Sequence, residues 1–378
     1  MINVCISNAE HDSSLCILED EEVLLYVQEE RISRIKKDSD MPFSFLKLIK
    51  SYTNTIDHII FINQNPERDH EVKICINFLK KDGIKIDDVF VDHKEHHLYH
   101  AASAFYGSGF DDAICLVIDG WGASFPLSEE HEILDASETT SIYYASYPAN
   151  FELLHKTLYY SEPQDLTDIT LDIPSNYELI HSFDVGVCYG TVSKYLGFGR
   201  ENPGKTMGLS SYGEEDSDLP NFNFEDTIYT NRNLLLYSRT LNDKYYPQLK
   251  DLNFQKKANL AFKVQKYLEK VFLYRVKQAV ELKPDCKNLV FSGGCALNIL
   301  GNSIIKKEFP DLNIFIDPVA NDGCQAYGSV KYNYYKHSNS MKKSPLTTLY
   351  NGPKYSLDYM KKLVELEVMV YNNSKSEN

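Results

Sequence analysis

The feature that most restricts the fold is a layout that occurs twice. Residues 113–133, AICLVIDGWGASFPLSEEHEI, repeat the plan of residues 3–23, NVCISNAEHDSSLCILEDEEV, at a constant offset of 110. In each, an apolar strand runs into a polar turn and a second strand runs into an acidic turn. Few identities are shared, so the plan carries the repeat. A recurring strand–turn–strand start implies two copies of one α/β unit, with a cleft between them suited to a nucleotide.

The first copy continues through a third strand, VLLYVQEER, and a helix over PFSFLKLIKSY with Pro42 in its first turn. A buried strand at DHIIFIN, an amphipathic helix over 70–81, a strand at DDVFVD and a helix across HHLYHAASAF follow. In the second copy, residues 213–255 read as a polar, irregular insertion. Beyond it come a helix over 256–282, the strand NLVFSGG, a helix from Ala296, the strand NIFIDP and a helix from Gly323. This alternation predicts a mostly parallel sheet. The expected lobes are residues 1–112 and 113–338. The pattern fades beyond Lys336, and 339–378 reads as a linker and the start of something not included.

A length of 378 residues suits two lobes with their own cores. No run of 18 apolar residues exists, and MINVCISNAEHDSS lacks the features of a signal peptide, so a cytoplasmic protein without a membrane span is expected. The net charge of −15 repels phosphate backbones and disfavours extended nucleic-acid contact, though a local basic pocket for one nucleotide is compatible with it. Eight cysteines without a CxxC pair fit buried free thiols in a reducing compartment.

HHLYH places His96 and His100 four residues apart, so on a helix both imidazoles leave one face about 5–6 Å apart. That spacing suits two ligands on one metal. Adjacent histidines on a surface helix satisfy the same pattern, and the motif alone does not separate the two readings. His97 points elsewhere and is read as structural. Asp119 ends the strand CLVID ahead of Gly120 and Gly122; Asp322 stands in DPVANDG before a glycine and a helix. Strand-end carboxylates in α/β folds gather at the ligand crevice. Two histidines and two aspartates form a mixed N/O set suited to iron, manganese or zinc. Helix capping is the plainer role for Asp322.

In FSGGCALN, Gly293 and Gly294 would let backbone amides approach a phosphate, with Asn298 one helical turn further on, facing a ribose or base. A tight turn is the plainer reading. Lys205, with Gly204 and Gly208, could serve a phosphate, although GKT here lacks the Walker spacing. His11 and Asp12 occupy a turn between strands, either as an acid/base or acyl-orienting pair or as an Asx turn. Arg31, Arg34 and Lys36 in EERISRIK read first as a solvated charged face.

Taken in order, HDSS, EERISRIK, HHLYHAASAFYGSGFDDA, VIDGWG, GKTMGLSSYG, FSGGCALN and DPVANDGCQAYG resemble the nodulation- and antibiotic-type O-carbamoyltransferase family over roughly residues 1–335. The resemblance implies a duplicated actin/Hsp70-like α/β fold (the ASKHA, RNase H-like class), related to the tRNA threonylcarbamoyl transferases. It also implies carbamoyl transfer from carbamoyl adenylate, itself made from ATP and carbamoyl phosphate by a separate C-terminal domain. The acceptor would be a hydroxyl of a small metabolite or modified nucleoside. Carried over by position, His96, His100, Asp119 and Asp322 resemble metal ligands, Fe2+ above Mn2+ or Zn2+. Gly293, Gly294 and Asn298 resemble nucleotide contacts, with Lys205 added as a phosphate candidate. His11, Asp12 and Lys36 fall at the reactive end.

Three departures stand out. Only NGPKYSLDYMKKLVELEV resembles the entry to the adenylate-forming domain, so a partner protein or domain in trans is expected to supply the donor. Pro203 stands where a glutamate is usual before GK, and HSFDVGVCYG carries two extra residues. The alternatives are a non-catalytic nucleotide- and metal-binding module that scaffolds a partner, and a tRNA threonylcarbamoyl transferase homologue.

Overall fold

The computed structural model describes residues 1–8, 11–38, 43–63, 66–126, 135–160, 174–180, 185–219, 222 and 251–358, and residues 360–368 except 363 and 367. The first sheet begins with a meander of β1 (Ile2–Ser7), β2 (Ser14–Glu19) and β3 (Glu22–Gln28). Three residues expected to end β3 instead open a short helix, α1 (Glu29–Ser33). There follow α2 (Phe43–Tyr52), β4 (Thr55–Ile62), α3 (Asp69–Lys81), β5 (Lys85–Asp92) and α4 (His96–Ser108).

The second sheet holds β6 (Asp112–Ile118), the short β7 (Ser124–Pro126), β8 (Asp135–Ser146), β9 (Asn150–Tyr160) and β10 (Tyr177–Ile180). Helices α5 (Val185–Tyr195), α6 (Pro203–Ser210) and α7 (Phe254–Leu282) come next. The chain then runs through β11 (Asn288–Ser292), α8 (Ile299–Glu308), β12 (Asn313–Ile316) and α9 (Gln325–Ser338).

The duplication is explicit in strand order. The first sheet runs β3-β2-β1-β4-β5; the second runs β10-β9-β8-β6-β11-β12, with β7 beside β8. Each has two antiparallel pairs of the meander, then two parallel pairs, to which the second sheet adds β10 parallel to β9 and β7 antiparallel to β8. The constant offset of 110 holds for β1 and β6 but not beyond. The counterpart of β2 is β8, while residues 124–126 form only the small strand that pairs with it. Most of the expected insertion, 223–250, lies outside the described residues.

Five layers result. One face of the first sheet packs on α2 and α3, and the outer face of the second packs on α5 and α7. Between the sheets lie α4 and α9, exchanged: α4 leaves the first sheet but packs against β6 and β11, and α9 leaves the second but packs against β1 and β2. Helix α4 is buried from His96 through Gly107, its three histidines included. Gly328 of α9 lets the exchanged helices approach closely, since a Cβ there would fall 2.0 Å from the Tyr99 carbonyl oxygen. Gly109, at φ +74, ends α4 in the left-handed conformation. All eight cysteines are free and buried. Among the described residues, no helix is long and apolar enough to cross a membrane.

Candidate metal centre

Helix exchange brings the first turns of α4 and of the segment before α9 to the carboxyl end of β6. His96 and His100 descend from α4, Asp119 follows the last residue of β6, and Asp322 opens the short 3-10 turn before α9. His96 Nε2 lies 3.1 Å from Asp119 Oδ2 and 3.6 Å from Asp322 Oδ1. His100 Nε2 lies 3.3 Å from Asp322 Oδ1 and 3.8 Å from Asp119 Oδ2. One ligand atom from each residue falls within 4.8 Å of all the others, and all four residues are buried.

The atoms around this ring orient it. Asp119 Oδ1 accepts the amides of Gly120 (2.8 Å) and Gly294 (3.0 Å), which turns Oδ2 toward the histidines. His100 Nδ1 faces Cys324 Sγ at 3.1 Å and Ser292 Oγ at 3.4 Å, leaving Nε2 inward. His96 Nδ1 lies 2.8 Å from the Gln325 side-chain nitrogen, while Gln325 Oε1 is buried without a hydrogen-bond partner. Turning that amide over makes Oε1 the acceptor for a proton on His96 Nδ1 and leaves the Nε2 lone pair in the ring. Both imidazoles are thus held by their outer nitrogens, the arrangement that supports metal-binding histidines.

Charge points the same way. Burial alone would raise both carboxyl pKa values, but the histidines hold Asp119 and Asp322 below the usual range. Burial would lower His100, yet the neighbouring thiol and carboxylates raise it well above the usual imidazole value. A divalent cation that displaced the protons held among these groups would meet two carboxylates and two imidazole lone pairs, a donor set of charge −2 that it neutralises. The capping role considered for Asp322 is not what its carboxylate does: it faces three histidine rings.

His11 and Asp12 adjoin the ring. His11 Nδ1 lies 3.0 Å from Asp12 Oδ2 and 3.6 Å from Asp322 Oδ2. Burial works to lower the His11 pKa, but Asp12 and Asp322 outweigh it and lift it to about 9. Lys36 does not point at this pair. Its ammonium donates to the Glu201 carbonyl oxygen at 3.0 Å and to Asn202 Oδ1 at 2.8 Å, across the cleft. The neighbouring Lys37, at φ +56, pairs with Glu201 Oε2 at 2.5 Å. Burial opposes the Lys37 charge, but Glu201, Asp12 and Asp322 favour it and raise its pKa. Nothing in the sequence singles out Lys37 from its neighbour; in the fold its backbone, like that of Arg34, is left-handed.

The residues expected to contact a nucleotide lie after β11, at the start of α8 and on α6. Gly293 adopts φ +88, where a Cβ would fall 2.4 Å from the Ile118 carbonyl oxygen, so it lets β6 and β11 close together. The Gly294 amide is engaged by Asp119. Asn298 is not one turn into a helix but is the N-cap of α8. Its Oδ1 accepts from the Gly301 amide at 2.9 Å, and it exchanges hydrogen bonds with Gln265. Lys205 is exposed in the first turn of α6, behind Pro203.

Residues 50–330 match a family model described as the carbamoyltransferase N-terminus. The chain is 25% identical over 409 aligned positions to the uncharacterized protein sll1178 of Synechocystis, covering 93% of this chain and 60% of that one. It is 25% identical over 390 positions to the nodulation protein NolNO of Sinorhizobium fredii, covering 96% of this chain and 51% of NolNO. It therefore spans between half and three-fifths of the length of these relatives. Among solved structures, HypF of T. kodakarensis superimposes with a TM-score of 0.50 at 14% identity, over 92% of this chain and 49% of HypF. That likeness is one of fold, the two-lobed actin-like plan seen in the two sheets.

Proposed function

The chain belongs to the carbamoyltransferase N-terminal family, and from that premise we propose that it moves a carbamoyl group from carbamoyl adenylate to a hydroxyl of a small acceptor at the His96–His100–Asp119–Asp322 ring. The observation that carries the reading is the convergence of four buried ligand atoms beside His11 and Asp12 at the mouth of the cleft. A divalent ion bound there, iron by preference, would supply Lewis-acid stabilisation to the phosphate of the leaving nucleotide.

The remaining work falls to protein side chains. The acceptor oxygen attacks the carbamoyl carbon, the bond from that carbon to the phosphate oxygen breaks, and AMP leaves with the electron pair. The hydroxyl proton passes to His11, which Asp12 orients. A cation balancing Asp322 removes part of the pull that otherwise keeps His11 protonated. Lys37, and Lys36 through the Glu201–Asn202 segment, place positive charge where the departing phosphate gathers negative charge. ATP and carbamoyl phosphate enter through an adenylate-forming domain that acts on this one, in the same polypeptide or in trans. The acidic net charge favours a small metabolite over tRNA as acceptor.

The test is mass spectrometry of reactions containing iron-loaded protein, ATP, carbamoyl phosphate and a panel of hydroxyl acceptors, with and without an added adenylate-forming domain. An acceptor that gains one carbamoyl mass only with that domain supports the reading. Nucleotide and metal binding with no transfer in either arm would favour a non-catalytic binding module.

A further inference from the structure

Glu138 is a buried carboxylate that the proposed chemistry leaves unused, and it touches two elements that carry the ring. It is fully buried on β8. Its Oε1 accepts the His97 amide at 2.9 Å and the Ala123 amide at 3.4 Å, and its Oε2 receives Lys156 Nζ at 2.5 Å from β9. His97 is the second residue of α4, whose N-cap residue Glu95 makes no side-chain cap. Glu138 therefore satisfies a first-turn amide from outside the helix and sets a negative charge at the positive end of its dipole.

The same residue fastens the loop that Asp119 opens. The Gly122 amide donates to the Glu138 carbonyl oxygen at 2.8 Å, the Glu138 amide to Ala123 O at 3.0 Å, and the Asp119 amide to Thr139 O at 2.9 Å. Packing here leaves no slack: a Cβ on Gly122 would fall 2.5 Å from Glu138 Cγ and 2.9 Å from His97 Nε2. Lys156, itself buried, supplies the opposite charge without touching the loop amides or α4 in any contact described.

We infer that Glu138 is a positioning residue, which fixes the start of α4 against the Asp119–Ala123 loop and so sets the spacing of the His96, His100 and Asp119 ligand atoms. Lys156, whose ammonium also lies over the Phe125 and Tyr177 rings, neutralises that carboxylate. This rests on the ring being a metal site, and the experiment separates the two claims.

Co2+ alone is the probe, titrated calorimetrically and by its visible absorption at a temperature well below every variant's unfolding. Glu138→Ala should weaken Co2+ binding roughly 10–100-fold and change the absorption band, because the ligand atoms lose their mutual spacing. Lys156→Met should lower the Tm while leaving band and affinity within about 3-fold of wild type, since Oε1 still holds both amides. The neutral pair Glu138→Gln with Lys156→Met keeps the acceptor oxygen and should likewise retain the band. Where Glu138→Ala fails to fold, Glu138→Asp keeps the charge but shortens the reach, and should show the same loss. An unchanged band and affinity in the Glu138 variants would overturn the inference while leaving the metal site standing. Equal losses in Glu138→Ala and Lys156→Met would also overturn it, by showing a purely structural effect. Failure of the wild-type protein to bind Co2+ would overturn the metal reading itself.

Discussion

At the scale of single residues, the ring is a problem of buried charge. Asp119 and Asp322 each make more than one polar contact, and removing either partner of such a pair strands the other. His100→Ala and Asp322→Ala should each reduce divalent-metal affinity on the order of 100-fold or more, because a four-ligand site loses a quarter of its donors. Calorimetry with Zn2+ or Mn2+ measures this, and full stoichiometric binding at unchanged affinity in both variants would remove them from the site. The two lysines make a sharper comparison. Lys36 binds the Glu201–Asn202 backbone and amide, whereas Lys37 shares the electrostatic field of Asp12 and Asp322. Lys37→Met should lower transfer by about 10-fold or more and Lys36→Met by less, with metal content unchanged in both. The reverse order would give Lys36 the larger part at the departing phosphate.

At the scale of elements, the exchanged helices carry the site. Asp322 lies just before α9 and both histidines lie on α4, so the α4–α9 contact fixes the distance between ligands from opposite ends of the chain. Gly328→Ala would drive a methyl into the Tyr99 carbonyl. It should cost about 1–3 kcal/mol in denaturant unfolding and weaken metal binding together; a variant that loses stability but binds metal as before would uncouple the helix crossing from the site. A second element-level contact secures β10 to α7. The His155 hydrogen bond, against the opposing effect of burial and aided by Arg275, brings the Glu178 pKa down to about 2. A depressed carboxylate pKa stabilises the fold above about pH 4.5, and the contribution is lost as pH falls through about 2. Glu178→Gln should therefore cost on the order of 1 kcal/mol at neutral pH, reduced from the full linkage value by partial exposure, with the difference from wild type vanishing near pH 2. A difference that persists unchanged to pH 2 would assign the effect to packing.

At the scale of the whole molecule, what was legible in sequence follows from the range of the forces involved. The first strand of each duplicated start, the i,i+4 histidines and the strand-end aspartate are local patterns, and each appears in the fold where its spacing places it. The exchange of α4 and α9 is not local. It arises from packing between segments more than 200 residues apart, and no periodicity announces it. The same is true of Glu138 and Lys156, which lie on a long hairpin that the 110-residue offset placed too early. Asn298 was misplaced by a few residues because a 3-10 turn, Gly294–Leu297, precedes α8 and makes the asparagine a cap. Lys36 and Lys37 both reach Glu201, one at its carbonyl oxygen and the other at its carboxylate, and the sequence does not show which of two adjacent lysines lies nearer Asp12 and Asp322.

The role proposed for this two-lobed chain is the transfer step alone, with the donor made elsewhere. It is tested most directly by supplying preformed, 13C-labelled carbamoyl adenylate to the metal-loaded protein and following the label by NMR in a single turnover with a panel of hydroxyl acceptors. Metal-dependent appearance of a carbamate ester together with AMP, abolished in Asp322→Ala, is the expected result. Release of AMP without any carbamate ester, or identical ester formation by Asp322→Ala, would contradict it.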